Sequence, residues 1–195
     1  MNKKRMLILL VMITSTLLAS CASYKFEPVK NIQVEAFTHI NQNNEEVTLE
    51  TLKGKPWLAM FIFTNCNSIC PPMTYNMTEV QQALIEHKIE DYNIVAFSID
   101  PLVDSPEILT QYLSAYSVPD MSKWQLLTGF KQEYIEQFAK RSFNSTVKND
   151  PTSDQVIHMS SFYLANAAGT VVKDYNGATD VPIDTIVADL KALTK

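Results

Sequence analysis

Cysteine is scarce in this sequence: three in 195 residues, alongside three histidines and two tryptophans. So few thiols exclude a small scaffold held together by disulfides. Cations are also in short supply, with 16 Lys and Arg against 21 Asp and Glu and a formal net charge of −5. A nucleic-acid binder needs a basic face to displace counterions, so that class is set aside. No apolar run reaches the roughly 20 residues that cross a bilayer comfortably as a permanent helix. Neither a repeat nor a low-complexity stretch occurs. What is present is a chain 46% hydrophobic and 19% charged, too apolar for disorder and long enough to bury one core without staples.

The first twenty residues read as a targeting signal and not as part of a fold. Lys3, Lys4 and Arg5 precede an apolar stretch at 6–18, interrupted by Thr14, Ser15 and Thr16. Leu18-Ala19-Ser20-Cys21 follows and resembles a bacterial lipobox, with Ser20 where Gly or Ala is commoner. On that reading the signal is cut after Ser20 and Cys21 carries a lipid. The mature protein is then expected at the cell membrane, lipid-anchored on its extracytoplasmic face. The alternative is an ordinary cleavage site beside an incidental cysteine. Processing removes three cations and leaves Cys66 and Cys70 as the cysteines with free side chains. In an oxidising compartment such a pair is a disulfide, a metal site or a redox couple.

Residues 21–31 are polar, lack periodicity and contain Pro28, and read as a membrane-tethering linker; residues 32–195 read as one domain. Segments 34–40 and 47–49 flank Asn41-Gln42-Asn43-Asn44 as an N-terminal β-hairpin. The apolar runs at 57–63 and 93–99 suit buried strands. Met73, Met77, Val80 and Leu84 recur at helical spacing, which makes the two methionines core residues and not a metal-binding tract. Ser105-Pro106 opens a second helix, Leu126-Leu127 is a short strand, and Tyr134, Ile135, Phe138 and Ala139 mark a third helix. A hairpin at 160–175 and an amphipathic helix at 182–193 close the chain. The order predicts an α/β protein whose central mixed sheet is flanked by helices, as in a thioredoxin-like fold.

Chemistry concentrates in Thr64-Asn65-Cys66-Asn67-Ser68-Ile69-Cys70-Pro71-Pro72, between a buried strand and a helix start. Pro71 disfavours helical dihedrals at Cys70, which places both thiols on the loop ahead of the helix. Unpaired backbone N–H groups and the positive dipole end favour a thiolate there, and with it nucleophilicity and metal affinity. Three residues separate the cysteines, not the two of thioredoxin-type motifs or zinc knuckles. A loop of this width can present both sulfurs to one metal at about 2.3 Å, or close a disulfide after modest rearrangement. A purely structural disulfide is the weaker option, because so short a loop gains little from closure.

Two thiolates leave a soft metal under-coordinated, so a third ligand is expected. His39 at a strand end and His87 in the last turn of a helix read as structural or surface residues. His158 stands just ahead of Phe162-Tyr163-Leu164, at the mouth of a core strand. Its position alone marks it as an ordinary strand-end histidine. Thiolates with an imidazole would suit Cu(I), Cu(II) or Zn(II), and three ligands would leave the site open. Asp100 and Asp104 follow the second buried strand and read as turn and capping residues, with a supporting role at the site as the alternative. Met159 reads as a rim or core residue, with a weak axial thioether as its alternative.

Taken together, Phe63-Thr64-Asn65-Cys66-Asn67-Ser68-Ile69-Cys70-Pro71, Phe97-Ser98-Ile99-Asp100-Pro101 with Asp104, Leu127-Thr128-Gly129, and His158 ahead of Phe162-Tyr163-Leu164 resemble the Sco/SenC family. These are copper-binding assembly factors of cytochrome c oxidase. The match runs from about residue 30 to the end. The resemblance implies a thioredoxin-like fold with copper held by Cys66, Cys70 and His158. It also implies a role in preparing the dinuclear copper centre of the oxidase's copper-bearing subunit, by an ectodomain expected to be monomeric. Ile157 departs from the Asp that many members carry before the histidine, and Asn166-Ala167-Ala168-Gly169 departs from a more acidic turn. A second hypothesis is a thiol–disulfide reductase that keeps the oxidase's copper-ligand cysteines reduced; it needs Cys66 and Cys70 but tolerates loss of His158. A peroxiredoxin variant fits less well, since Thr64 stands two residues before Cys66, not three, and no separate resolving cysteine exists. A pure interaction module is the residual alternative.

Overall fold

The computed structural model describes residues 24–149 and 155–194; the expected signal at 1–20 and the expected lipidation site Cys21 lie outside them. Along the chain run β1 (Ile32–Gln33), β2 (Thr38–Ile40), β3 (Glu46–Thr48), α1 (Leu49–Leu52), β4 (Trp57–Ile62), α2 (Cys70–Glu86), β5 (Asn93–Ser98) and α3 (Pro106–Ser114). They are followed by β6 (Trp124–Leu127), α4 (Gln132–Phe143), β7 (Val147–Asn149), β8 (Val156–His158), β9 (Ser161–Ala165), β10 (Thr170–Asn176) and α5 (Ile183–Leu193). Among the described residues no helix is long and apolar enough to cross a membrane.

All six residues of β4 are fully buried, because an apolar run without alternation needs cover on both faces. The main sheet has the order β1-β10-β9-β4-β5-β6. β4, β5 and β6 run parallel, connected through α2 and α3, while β9 lies antiparallel to β4 and to β10. This is the mixed sheet of a thioredoxin-like α/β fold, as the sequence order predicts. Parallel strands put their following loops at the same end of the sheet, so the segment after β4, which carries the two cysteines, lies beside the segment after β5.

Local signals explain most boundaries. Ser105 caps α3 by accepting the Ile108 N–H at 3.3 Å, and Pro106 takes the first helical position. Asn144 ends α4 in the left-handed conformation. Gly169 turns the β9–β10 hairpin with φ +80°, where a side chain would be strained and its Cβ would press on Leu49 at 3.0 Å. The N-terminal hairpin forms as β2 and β3, shorter than expected because 34–37 does not pair within it. Beyond the sequence reading lie the edge strand β1, paired with β10, the short helix α1, whose first residue reads in the sequence as the end of a strand, and the separate ribbon β7–β8. His158 therefore ends a ribbon strand and does not belong to the core strand β9.

The segment expected as a linker is, in its described part, laid along the domain. The Tyr24 hydroxyl donates to Asp189 of α5, and Phe26 packs against the core. The Val29 and Lys30 N–H groups both donate to the Val172 carbonyl, at 2.9 and 3.0 Å, and Lys30 pairs with Asp174 at 3.1 Å. Asp189 itself has no exposed surface and also accepts from Lys173 Nζ at 2.6 Å and the Tyr175 hydroxyl at 2.8 Å.

His39 is structural, as its position suggests. Its ring stacks on Phe37 at 5.6 Å and meets the edges of Phe130 and Tyr134, and its Nε2 has no hydrogen-bond partner among the described residues. Burial lowers its pKa from 6.5 to about 4. Between those values the unfolded chain binds a proton that the folded protein refuses, so stability falls as pH drops from about 6.5 to about 4. The loss comes to about 2–3 kcal/mol after allowance for partial exposure. His39→Phe keeps the ring contacts and removes the titrating nitrogen. Urea unfolding across this pH range is expected to show a flatter stability curve for the variant; an unchanged slope would assign the acid sensitivity to another group.

Candidate metal centre

The two sulfurs are placed by the turn that leads from β4 into α2. The Cys66 N–H donates to the Phe63 carbonyl at 3.2 Å, which folds the chain back after the strand. The Met73 N–H then closes on the Ile69 carbonyl at 3.2 Å, so Cys70 is the first residue of α2 and not a loop residue, as the proline alone suggests. Pro71 is tolerated because N–H groups in the first turn have no partner within the helix. The Cys70 N–H, one of these orphan donors, points at Cys66 Sγ at 3.2 Å. Cys70 is fully buried, Cys66 is 8% exposed, and both are free thiols.

His158 reaches the pair from the opposite side on β8, which is held in register by the pairing of Val147 with His158. Its Nδ1 lies 3.1 Å from the Met159 carbonyl and its Nε2 lies 3.5 Å from Cys70 Sγ. A carbonyl only accepts, so Nδ1 carries the proton and the Nε2 lone pair faces the thiols. The two Sγ atoms and a ring nitrogen of His158 all lie within 4.8 Å of one another, the one such cluster among the described residues. A trigonal centre with bonds of about 2.3 Å to sulfur and about 2.0 Å to nitrogen needs ligand separations of about 3.8–4.0 Å. The donors are thus already near bonding positions.

The thiols are electrostatically unequal. Hydrogen bonding from Cys70 holds the Cys66 thiol well below its usual range, with help from the backbone N–H groups of Ser68 and Cys70 and against the effect of burial. The same hydrogen bond and burial push the Cys70 thiol up. Cys66 is therefore the thiolate, more exposed and more nucleophilic, and Cys70 is its buried proton donor.

Beneath the loop sits Asp104, fully buried. It accepts from the Thr64 hydroxyl at 2.5 Å, the Thr64 N–H at 3.2 Å and the Ser98 hydroxyl at 2.6 Å, while its own carbonyl accepts from the Thr128 hydroxyl at 2.7 Å. Burial raises its pKa and these hydrogen bonds oppose the rise. Asp104 thus has a supporting role and caps no helix, since Ser105 caps α3. The Asp100 N–H donates to the Ser98 hydroxyl at 3.1 Å, a turn role as expected, and Asp100 is not a member of the three-donor cluster. Met159 is half exposed and contributes its carbonyl to His158; Met73 and Met77 are fully buried in the core. The supporting residues Thr64 and Ser98 escaped the sequence reading, although each is a hydroxyl at the polar end of an apolar strand. A surface depression of about 450 Å³ lies at the other end of α2, beside His87 and Tyr24, away from the three donors.

Fold and donors together define a thioredoxin-like protein with an open two-cysteine, one-histidine cluster. Residues 27–195 match the family described as SCO1/SenC, and the chain belongs to that family. It resembles the SCO1/SenC family lipoprotein of Bacillus anthracis (40% identity, TM-score 0.81, covering 86% of this chain and 98% of that one). It is also similar to BsSco, described as a Sco-family cytochrome c oxidase assembly protein with a disulfide switch (46% identity, TM-score 0.79, covering 87% and 97%). A third relative is Bradyrhizobium japonicum ScoI, solved with copper bound (30% identity, TM-score 0.69, covering 83% and 99%).

Asp104→Leu would strand three donors in a buried position and is expected to destabilise the protein by about 3 kcal/mol or more. Asp104→Asn, which can still accept from Thr64, is expected to lose about a third as much. Denaturant unfolding of the reduced proteins measures both, and equal losses would contradict this role.

Proposed function

We propose that this protein binds one copper ion through Cys66 Sγ, Cys70 Sγ and His158 Nε2. It uses that site in assembling the dinuclear copper centre of cytochrome c oxidase, by exchange with the oxidase's copper-bearing subunit. The observation that carries the proposal is the convergence of two sulfurs and an oriented imidazole nitrogen from segments far apart in the chain. Thiolates with imidazole suit copper in either oxidation state. Three ligands leave a position through which a partner's ligand can enter before the donors leave. The copper-bound relative and the oxidase-assembly relative support the same reading. Lipidation of Cys21 would hold the domain at the extracytoplasmic face of the membrane; the Leu18-Ala19-Ser20-Cys21 motif and the lipoprotein relative support that part.

One observation also favours a thiol–disulfide role. Cys66 is the accessible thiolate and Cys70 the buried thiol beside it, an arrangement of attacking and resolving groups. Attack of Cys66 on a partner disulfide would form a mixed disulfide, and Cys70 would resolve it, leaving the Cys66–Cys70 disulfide and a reduced partner.

Titration of the reduced domain with Cu(I) and with Cu(II) separates the readings. The wild type is expected to bind one equivalent. His158→Ala and Cys66→Ser are each expected to weaken binding by about 100-fold or more, since even indirect support of a ligand is worth 10–100-fold. Absence of stoichiometric binding in the wild type would overturn the copper reading. Full disulfide exchange by His158→Ala, with copper binding lost, would favour the reductase.

A further inference from the structure

The chain just after Cys21 does not leave the domain free to tumble. Tyr24 sits three residues beyond Cys21, and three extended residues span at most about 11 Å. From Tyr24 onward the segment is tied to the domain at several points, although Tyr24 and Val29 keep exposed surface. The Tyr24 hydroxyl bonds the buried Asp189, Lys173 Nζ lies 6.0 Å from the Phe26 ring, and Val29 and Lys30 bond the β10 backbone. Burial of Asp189 gives the Tyr24 bond weight, because a carboxylate without surface depends on its donors. Tyr24 also borders a depression lined by His87, Asp184, Val187, Ala188, Lys191 and Ala192, a face that mixes apolar groups with one acid and one lysine.

We propose that the segment from Tyr24 to Lys30 is a strap that fixes the domain on the lipid surface, with the His87 end of α2 facing the bilayer and the metal centre facing away. The inference rests on the lipidation of Cys21 proposed above. His87 follows the last residue of α2 and Cys70 is its first, so the 17-residue helix sets the centre about 25 Å beyond the strapped end. A lipid anchor this close to the fold holds the domain within about 11 Å of the headgroups. The centre is thereby presented at a defined height to a partner in the same membrane, and no long linker has to be ordered when that partner binds.

The test uses the full lipidated chain in phosphatidylethanolamine–phosphatidylglycerol vesicles with an acceptor dye on the headgroups. A fluorescent amino acid replaces either Glu90, at the strapped end, or Leu102, on the loop after β5. Energy transfer is expected to be several-fold more efficient from position 90 than from position 102. A twelve-residue Gly/Ser spacer inserted between Ser23 and Tyr24 adds about 20 Å of flexible reach and is expected to bring the two efficiencies together. The paired substitutions Tyr24→Ala and Phe26→Ala are expected to do the same, and the spacer keeps the test valid should that variant fold poorly. Equal transfer in the unaltered lipidated chain, or a difference that survives the spacer, would overturn the strap. Absence of lipid on Cys21 by mass spectrometry would overturn the anchor reading and the strap with it, so the two failures are distinguishable.

Discussion

A carboxylate with no exposed surface persists only where donors surround it, and Asp104 draws its donors from separate parts of the chain. Thr64 comes from the cysteine loop after β4 and Ser98 from the last position of β5, while Thr128, just beyond β6, bonds the Asp104 carbonyl. Three neighbouring parallel strands thus have their following segments tied to one residue. The loop that carries Cys66 is thereby fixed relative to the sheet, and the sheet fixes α2, whose first residue is Cys70. The site's geometry descends from this knot: without it the thiol turn would be an exposed connection between a strand and a helix.

On that base the donor atoms divide their tasks. The helix N-terminus supplies an N–H to Cys66 Sγ, which stabilises negative charge where a thiolate ligand needs it. Its hydrogen bond with Cys66 and its deeper burial push the Cys70 thiol up, so copper binding there would have to displace a proton. His158 arrives on a two-stranded ribbon outside the main sheet, with its tautomer set by the Met159 carbonyl. A support of this kind can yield without disturbing the core, which would suit the metal exchange proposed for the site. The strap at the opposite end of α2 would add orientation to that chemistry.

Much of this was legible in the sequence, and the reasons are physical. β4 and β5 are long apolar runs, α2 repeats its buried residues at helical spacing, and α3 begins with a Ser-Pro cap; each signal is local and redundant. The paired cysteines and the fate of the three histidines could be reasoned from position and resemblance. The edge strand β1 has two residues and β7 and β8 have three, too short for alternation to show. Cys70 opens α2 despite preceding a proline, because the dihedral bias is weaker than the helix's other contacts. Asp104 looked like a turn residue, since its partners lie 40 positions before and 24 after it in sequence. The polar segment after Cys21 looked like a linker for the same reason: its partners, Val172, Asp174 and Asp189, are far along the chain.

The central claim is that the three donors brought together by the fold, two sulfurs and one histidine nitrogen, are the ligands that hold copper. X-ray absorption spectroscopy of the copper-loaded protein tests it most directly. The account predicts two sulfur scatterers at about 2.3 Å and one imidazole nitrogen at about 2.0 Å, with His158→Ala losing the imidazole signature and keeping both sulfurs. A spectrum with a single sulfur, or one unchanged by removal of His158, would contradict it.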